Sequence, residues 1–238
     1  MSKSFLNLVT IVLVAVGFVA CGSDKQSSPL KESDSELLRL VARNDLQGVK
    51  YQILKKGANV NAKDKDGRTA LMLIDKNYSK GGSITLEITK FLVGQGADVN
   101  AKDEDGKTAL MLWDREGGLD LLAYDLEMIK FLIEKGADLN VKDKNGWTAL
   151  MYYANSGAAI DKIKFLVEKG ADVNAKTKDG WTALMFATSS NDIVKLLLEK
   201  GADVNAKNKD GKTAVDIADE LGREYSRDIL LKAMGIGE

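Results

Sequence analysis

Apolar side chains recur at three- and four-residue spacing ahead of a glycine at four places along the chain. They are Ile88, Phe91 and Leu92 before Gly96; Ile129, Leu132 and Ile133 before Gly136; Ile163, Leu166 and Val167 before Gly170; and Val194, Leu197 and Leu198 before Gly201. That spacing places each group on one face of a helix. The glycine marks the stop, because it enters the left-handed conformation cheaply, and Lys135, Lys169 and Lys200 stand where the helix dipole favours a cation. Polar phrases follow. Gly57-Ala58-Asn59-Val60-Asn61-Ala62-Lys63 returns in close variants from Gly96, Gly136, Gly170 and Gly201. Each leads to a second phrase: Asp66-Gly67-Arg68-Thr69-Ala70-Leu71, then Asp105 to Leu110, Asn145 to Leu150, Asp179 to Leu184 and Asp210 to Val215. The Asx-Gly pair turns the chain, and the threonine after it is placed to cap the next helix through its hydroxyl. The pattern predicts a repeated unit of turn, short helix and longer helix with one apolar face. Upstream, Ser33 with Glu36 predicts a capping box ahead of Leu37, Leu38, Leu40 and Val41.

The paired phrases resemble the ankyrin repeat, a unit of about 33 residues with a β-turn and two helices. The resemblance spans residues 34–233 and implies an all-α solenoid of about six helix pairs joined by short β-hairpin turns. Where the family has Thr-Pro-Leu-His, this chain has Thr-Ala-Leu-Met around Met72, Met111, Met151 and Met185. Alanine forms helix well at that first position, and methionine exchanges the histidine's hydrogen bonds for apolar filling. Spacing departs from regularity as well, with insertions around Gly81-Gly82 and Gly117-Gly118, and with Ile74 and Trp113 where the family has a small alanine. The end units are expected to act as caps. The last has Asp216 in place of methionine, with Glu220, Arg223, Glu224 and Arg227 giving a polar outer face, and the first lacks the hairpin phrase.

The amino terminus has a different pattern. Lys3 precedes Phe5 to Ala20, in which only Asn7 and Thr10 are polar, and then comes Cys21-Gly22-Ser23. Sixteen helical residues cover roughly 24 Å, short of the ~30 Å hydrocarbon core, which favours a secretory signal over a spanning helix. Gly17 to Cys21 resembles the lipobox of bacterial lipoproteins, with Phe18 in place of the usual leucine. The resemblance implies cleavage before Cys21 and its lipidation, and Gly22 suits outer-membrane sorting. Cleavage with release, or retention as an uncleaved anchor, stay open as alternatives. Residues 1–20 are thus expected to be a signal peptide, 21–32 a flexible tether around Pro29, and 33–238 the repeat domain in the cell envelope.

Composition narrows the chemistry. The 34 basic and 35 acidic side chains leave a net charge of −1, so no long-range field draws nucleic acid. There is no histidine and one cysteine. That removes the usual general base and the commonest transition-metal ligand, and no glycine-rich phosphate loop follows a strand. No enzyme activity and no cofactor are expected. A carboxylate-dependent hydrolase is the remaining catalytic alternative. The acidic tips around Asp64, Asp103 and Asp143 lack the bidentate glutamate of a calcium loop, and asparagine and aspartate start turns for their own backbone reasons.

The family resemblance implies that a protein partner contacts the hairpin tips and the inner face of the first helices. Carried over to this chain, the partner-binding candidates are Trp147 and Trp181, at the same place in adjacent units, with Arg68, Lys107, Lys144, Lys178 and Lys212. Exposed aromatics ringed by polar groups anchor interfaces; the alternative is that each indole lies flat on the neighbouring hairpin. A monomer anchored through Cys21 is expected, acting as a scaffold or as an inhibitor of an exported enzyme.

Overall fold

The computed structural model describes residues 30–74, 82–113, 122–157 and 160–236. The signal segment, Cys21, most of the tether, and Gly81, Gly117 and Gly118 of the insertions lie outside them. Among the described residues there are twelve α-helices: α1 (Glu32–Val41), α2 (Leu46–Lys56), α3 (Ala70–Leu73), α4 (Gly82–Gly94), α5 (Ala109–Leu112), α6 (Leu122–Glu134), α7 (Ala149–Ser156), α8 (Ile160–Glu168), α9 (Ala183–Phe186), α10 (Asn191–Glu199), α11 (Ala214–Glu220) and α12 (Glu224–Ala233). No strand occurs among these residues; one isolated antiparallel bridge joins Lys63 to Thr69.

The helices form two rows. α1, α3, α5, α7, α9 and α11 pack each on the next, and α2, α4, α6, α8, α10 and α12 form the second row behind them. The core lies between the rows. The Ala-Leu-Met segment that opens α3, α5, α7 and α9 is at most 3 % exposed throughout, so the methionines supply the apolar filling expected of them. Even-row helices end as the glycines require: Gly96 takes φ +89°, and the Ala97 N–H then donates to the Leu92 carbonyl at 3.0 Å, with the same closure at Ala137, Ala171 and Ala202.

Several sequence expectations need correction. The threonine hydroxyls of Thr69, Thr108 and Thr182 make no capping bond. These helices are four residues long, whereas α7 and α11 run to eight and seven residues. Only Thr148 and Thr213 cap through the side chain. Ser33 and Glu36 form no capping box, because α1 already starts at Glu32 and Glu36 pairs with Arg39. The capping box lies instead at Thr213 and Asp216, so Asp216 closes a helix start as well as presenting charge. Large residues at the family's alanine position occur in three units, since Tyr153 is buried there beside Ile74 and Trp113. Tyr153 donates its hydroxyl to the Leu110 carbonyl at 2.7 Å. Lys162, 1 % exposed, occupies the α8 position that Ile88, Met128 and Ile193 hold on other even-row helices.

Candidate partner-binding surface

Five tips, at residues 63–68, 102–107, 142–147, 176–181 and 207–212, join the units. Each is shaped by one side chain. Asp64 Oδ1 accepts from the amides of Asp66 and Arg68, both at 2.9 Å. Asp103 and Asp143 repeat this at 2.8–2.9 Å, as does Asn208 through its own Oδ1. In the fourth tip Thr177 Oγ1 accepts from Trp181 N at 3.1 Å. The lead aspartates of the acidic tips are therefore turn-formers, with carboxylate oxygens committed to backbone amides.

Neighbouring tips are laced together by one backbone bond each. These run from Glu104 N to Asp66 O, Lys144 N to Asp105 O, Lys178 N to Asn145 O and Lys209 N to Asp179 O, at 2.8–3.0 Å. A second seam lies at the base of each unit. Asn61 donates through Nδ2 to the Gly96 carbonyl at 3.0 Å and accepts from Asp98 N at 2.8 Å. Asn100, Asn140 and Asn174 do the same for the next units. In the first unit Asp34 takes over as acceptor, from Asn59 N at 2.8 Å.

The candidate residues divide in two. Arg68 is spent within its own tip, on Asp64 at 2.9 Å and on Asp66, and Lys212 Nζ lies 2.7 Å from Glu220. Lys144 and Lys178 are exposed and make no ion pair among the described residues. Lys107 sits 5.6 Å over the Tyr152 ring. The two indoles are half-buried and belong to one row of rings: Tyr152 to Trp147 at 5.0 Å, Trp147 to Phe186 at 4.2 Å, Phe186 to Trp181 at 5.1 Å between centroids. Both indoles therefore pack against other rings while keeping part of their surface in solvent.

Tyr152 and Phe186 were not among the sequence candidates. The signal was available: each lies five residues after a tip tryptophan, where the units with a cationic second or first tip have Leu73 and Leu112. Tyr152 also donates to Asp143 Oδ2 at 2.7 Å. Burial, then this bond, raises its pKa above the usual phenol value, so it stays a protonated donor.

In the first tip, burial alone would raise the Asp64 pKa, but hydrogen bonds from the Arg68 amide and guanidinium and the Asp66 amide outweigh it and hold it below 3.8. A depressed carboxylate contributes stability that is complete above its unfolded value and lost as pH falls through the folded one. Asp64→Asn, which keeps the Oδ1 acceptor, is expected to show a smaller loss of thermal stability than the parent below about pH 4. Melting curves taken down to acid pH check this, and equal losses would refute it.

The model of the family described as ankyrin repeats (3 copies) matches residues 37–124, 119–208 and 166–236. The chain belongs to the ankyrin-repeat family. Ankyrin repeats are generally protein–protein interaction modules, and in this one the tips and the odd-row helices carry the aromatic row. No curated protein matches the chain. Among the described residues, no group of three or more His, Cys, Asp or Glu is placed to hold a metal ion, and no helix is long and apolar enough to cross a membrane.

Proposed function

We propose that this ankyrin-repeat protein is a bacterial lipoprotein of the cell envelope, anchored through Cys21, that binds a protein partner with its third and fourth tips and the adjoining α7 and α9. The observation that carries the binding reading is the row of four half-buried rings. It spans two units at the tips, where a monomer otherwise presents charge. The lone cysteine after a 16-residue apolar stretch supports the anchor. Function is holding, with no bond made or broken.

Crosslinking in cells that express the full chain, followed by mass spectrometry, tests both halves. A discrete partner is expected with the parent, and its capture is expected to fall roughly tenfold or more in a folded Trp147→Ala, Trp181→Ala variant. The parent is expected in the membrane fraction and Cys21→Ser in the soluble fraction. Undiminished capture by the double variant would remove the surface from the proposal, and unchanged fractionation would remove the anchor.

A further inference from the structure

The chemistry of the partner is written in how the rings meet. Their planes lie 22–39° apart at centroid separations of 4.2–5.1 Å. At that spacing neighbouring rings touch, and each contact takes up ring surface that an incoming group would otherwise reach. Aromatic faces carry the negative end of the ring quadrupole and edges the positive end. One ring of the row, Tyr152, already has a cation of the chain over it, Lys107 at 5.6 Å, and ring edges suit apolar groups and anions.

Charge along the tips points the same way. The first two tips hold five basic and five acidic residues, whereas the last three hold seven lysines and three aspartates. Of those three, Asp143 is 6 % exposed and turned inward to Tyr152. Lys144 and Lys178, in the two tips that carry the indoles, are exposed and without an ion pair among the described residues. Lys107 closes one end of the row above Tyr152. A basic segment would meet like charges around Lys144 and Lys178, whereas the carboxylates of Asp103 and Asp105 act at the Tyr152 end, beside Lys107. A nucleic-acid strand would find its phosphates matched, but its bases need open faces to stack on.

Resting on the protein-binding reading above, we infer that the Tyr152–Trp147–Phe186–Trp181 row takes an acidic peptide segment, an apolar side chain lying along the ring edges and carboxylates reaching Lys144 and Lys178. Peptides that lack either the acid or the apolar anchor bind poorly, and added salt weakens the complex.

The test is selection of a random displayed peptide library on the full chain. Two folded variants run beside it, Trp147→Ala with Trp181→Ala, and the surface charge reversal Lys144→Glu with Lys178→Glu. Enriched peptides are expected to place Asp or Glu around a Leu, Ile or Phe, and to bind each variant roughly tenfold more weakly. Basic or uncharged winners, or no enrichment, overturn the inference. Peptides that bind both variants as well as the parent overturn it too, yet leave protein binding standing elsewhere on the chain. Retention of oligothymidine or phosphatidylglycerol vesicles in place of any peptide sinks both readings.

Discussion

Replacing Trp113 by alanine is expected to lower the unfolding free energy by about 3–5 kcal/mol, the range for emptying a large aromatic site in a packed core. Trp113 follows α5 directly and is 1 % exposed. The same position in the flanking units is filled by Ile74 and Tyr153, also buried, so the three side chains occupy corresponding space between the two rows. The Trp113 indole N–H has no hydrogen-bond partner among the described residues. Trp113→Phe therefore gives up some contact area but also removes a buried unsatisfied donor, two effects that oppose each other. Its cost is expected to be a small fraction of the alanine cost. Urea unfolding followed by circular dichroism separates the two, and equal losses would show that volume is not what the residue supplies.

A second large effect is expected at the third tip. Gly146 has φ +84°, and a Cβ there would stand 2.8 Å from Lys178 N and 3.0 Å from the Thr177 carbonyl carbon, both backbone atoms of the next tip. Gly211 has φ +76° but nothing within 4 Å, because no further tip follows it. Gly211→Ala is expected to cost about 1–2 kcal/mol, the strain of a left-handed alanine. Gly146→Ala adds displacement of the fourth tip and loss of the Lys178 N to Asn145 O bond of 2.8 Å, for about 2–4 kcal/mol in all. Equal unfolding midpoints for the two variants would mean that the close tip-to-tip approach contributes nothing.

The units themselves were legible because their punctuation is local. An Asx-Gly pair, a threonine and a terminal glycine act within a few residues of one another, so Gly67 or Gly96 can be placed without knowing the fold. What joins the units was hidden. Asn100 bonds to Gly136 and Asp138, and nothing around Asn100 distinguishes a bridging side chain from a solvated one. The candidate surface was half legible for a similar reason. The tryptophans stood out among charged tip residues, while Tyr152 and Phe186 sit in Ala-Leu-Met segments, where an aromatic passes for one more core residue. Threonine caps are missing ahead of the four-residue α3, α5 and α9 and present ahead of the longer α7 and α11, a difference in length that the phrase around the threonine does not display. Basic residues could be named from sequence, but Arg68 and Lys212 turned out to be engaged at home, and only geometry separates them from Lys144 and Lys178.

A stack of units held at one end and pulled at the other opens at its weakest joint, since each unit touches only its neighbours. Between the first and fifth tips every joint has one tip bond and one asparagine bridge, and one further side-chain bond each: Lys63 Nζ to the Lys102 carbonyl, Tyr153 hydroxyl to the Leu110 carbonyl, Lys142 Nζ to the Lys176 carbonyl and Lys209 Nζ to Asp179. The joint between the third and fourth tips has the Trp147 and Phe186 rings pressed together across it as well, at 4.2 Å. Under load it is expected to be the last of the four to give way, so that tension peels the stack from elsewhere and the row of rings stays whole.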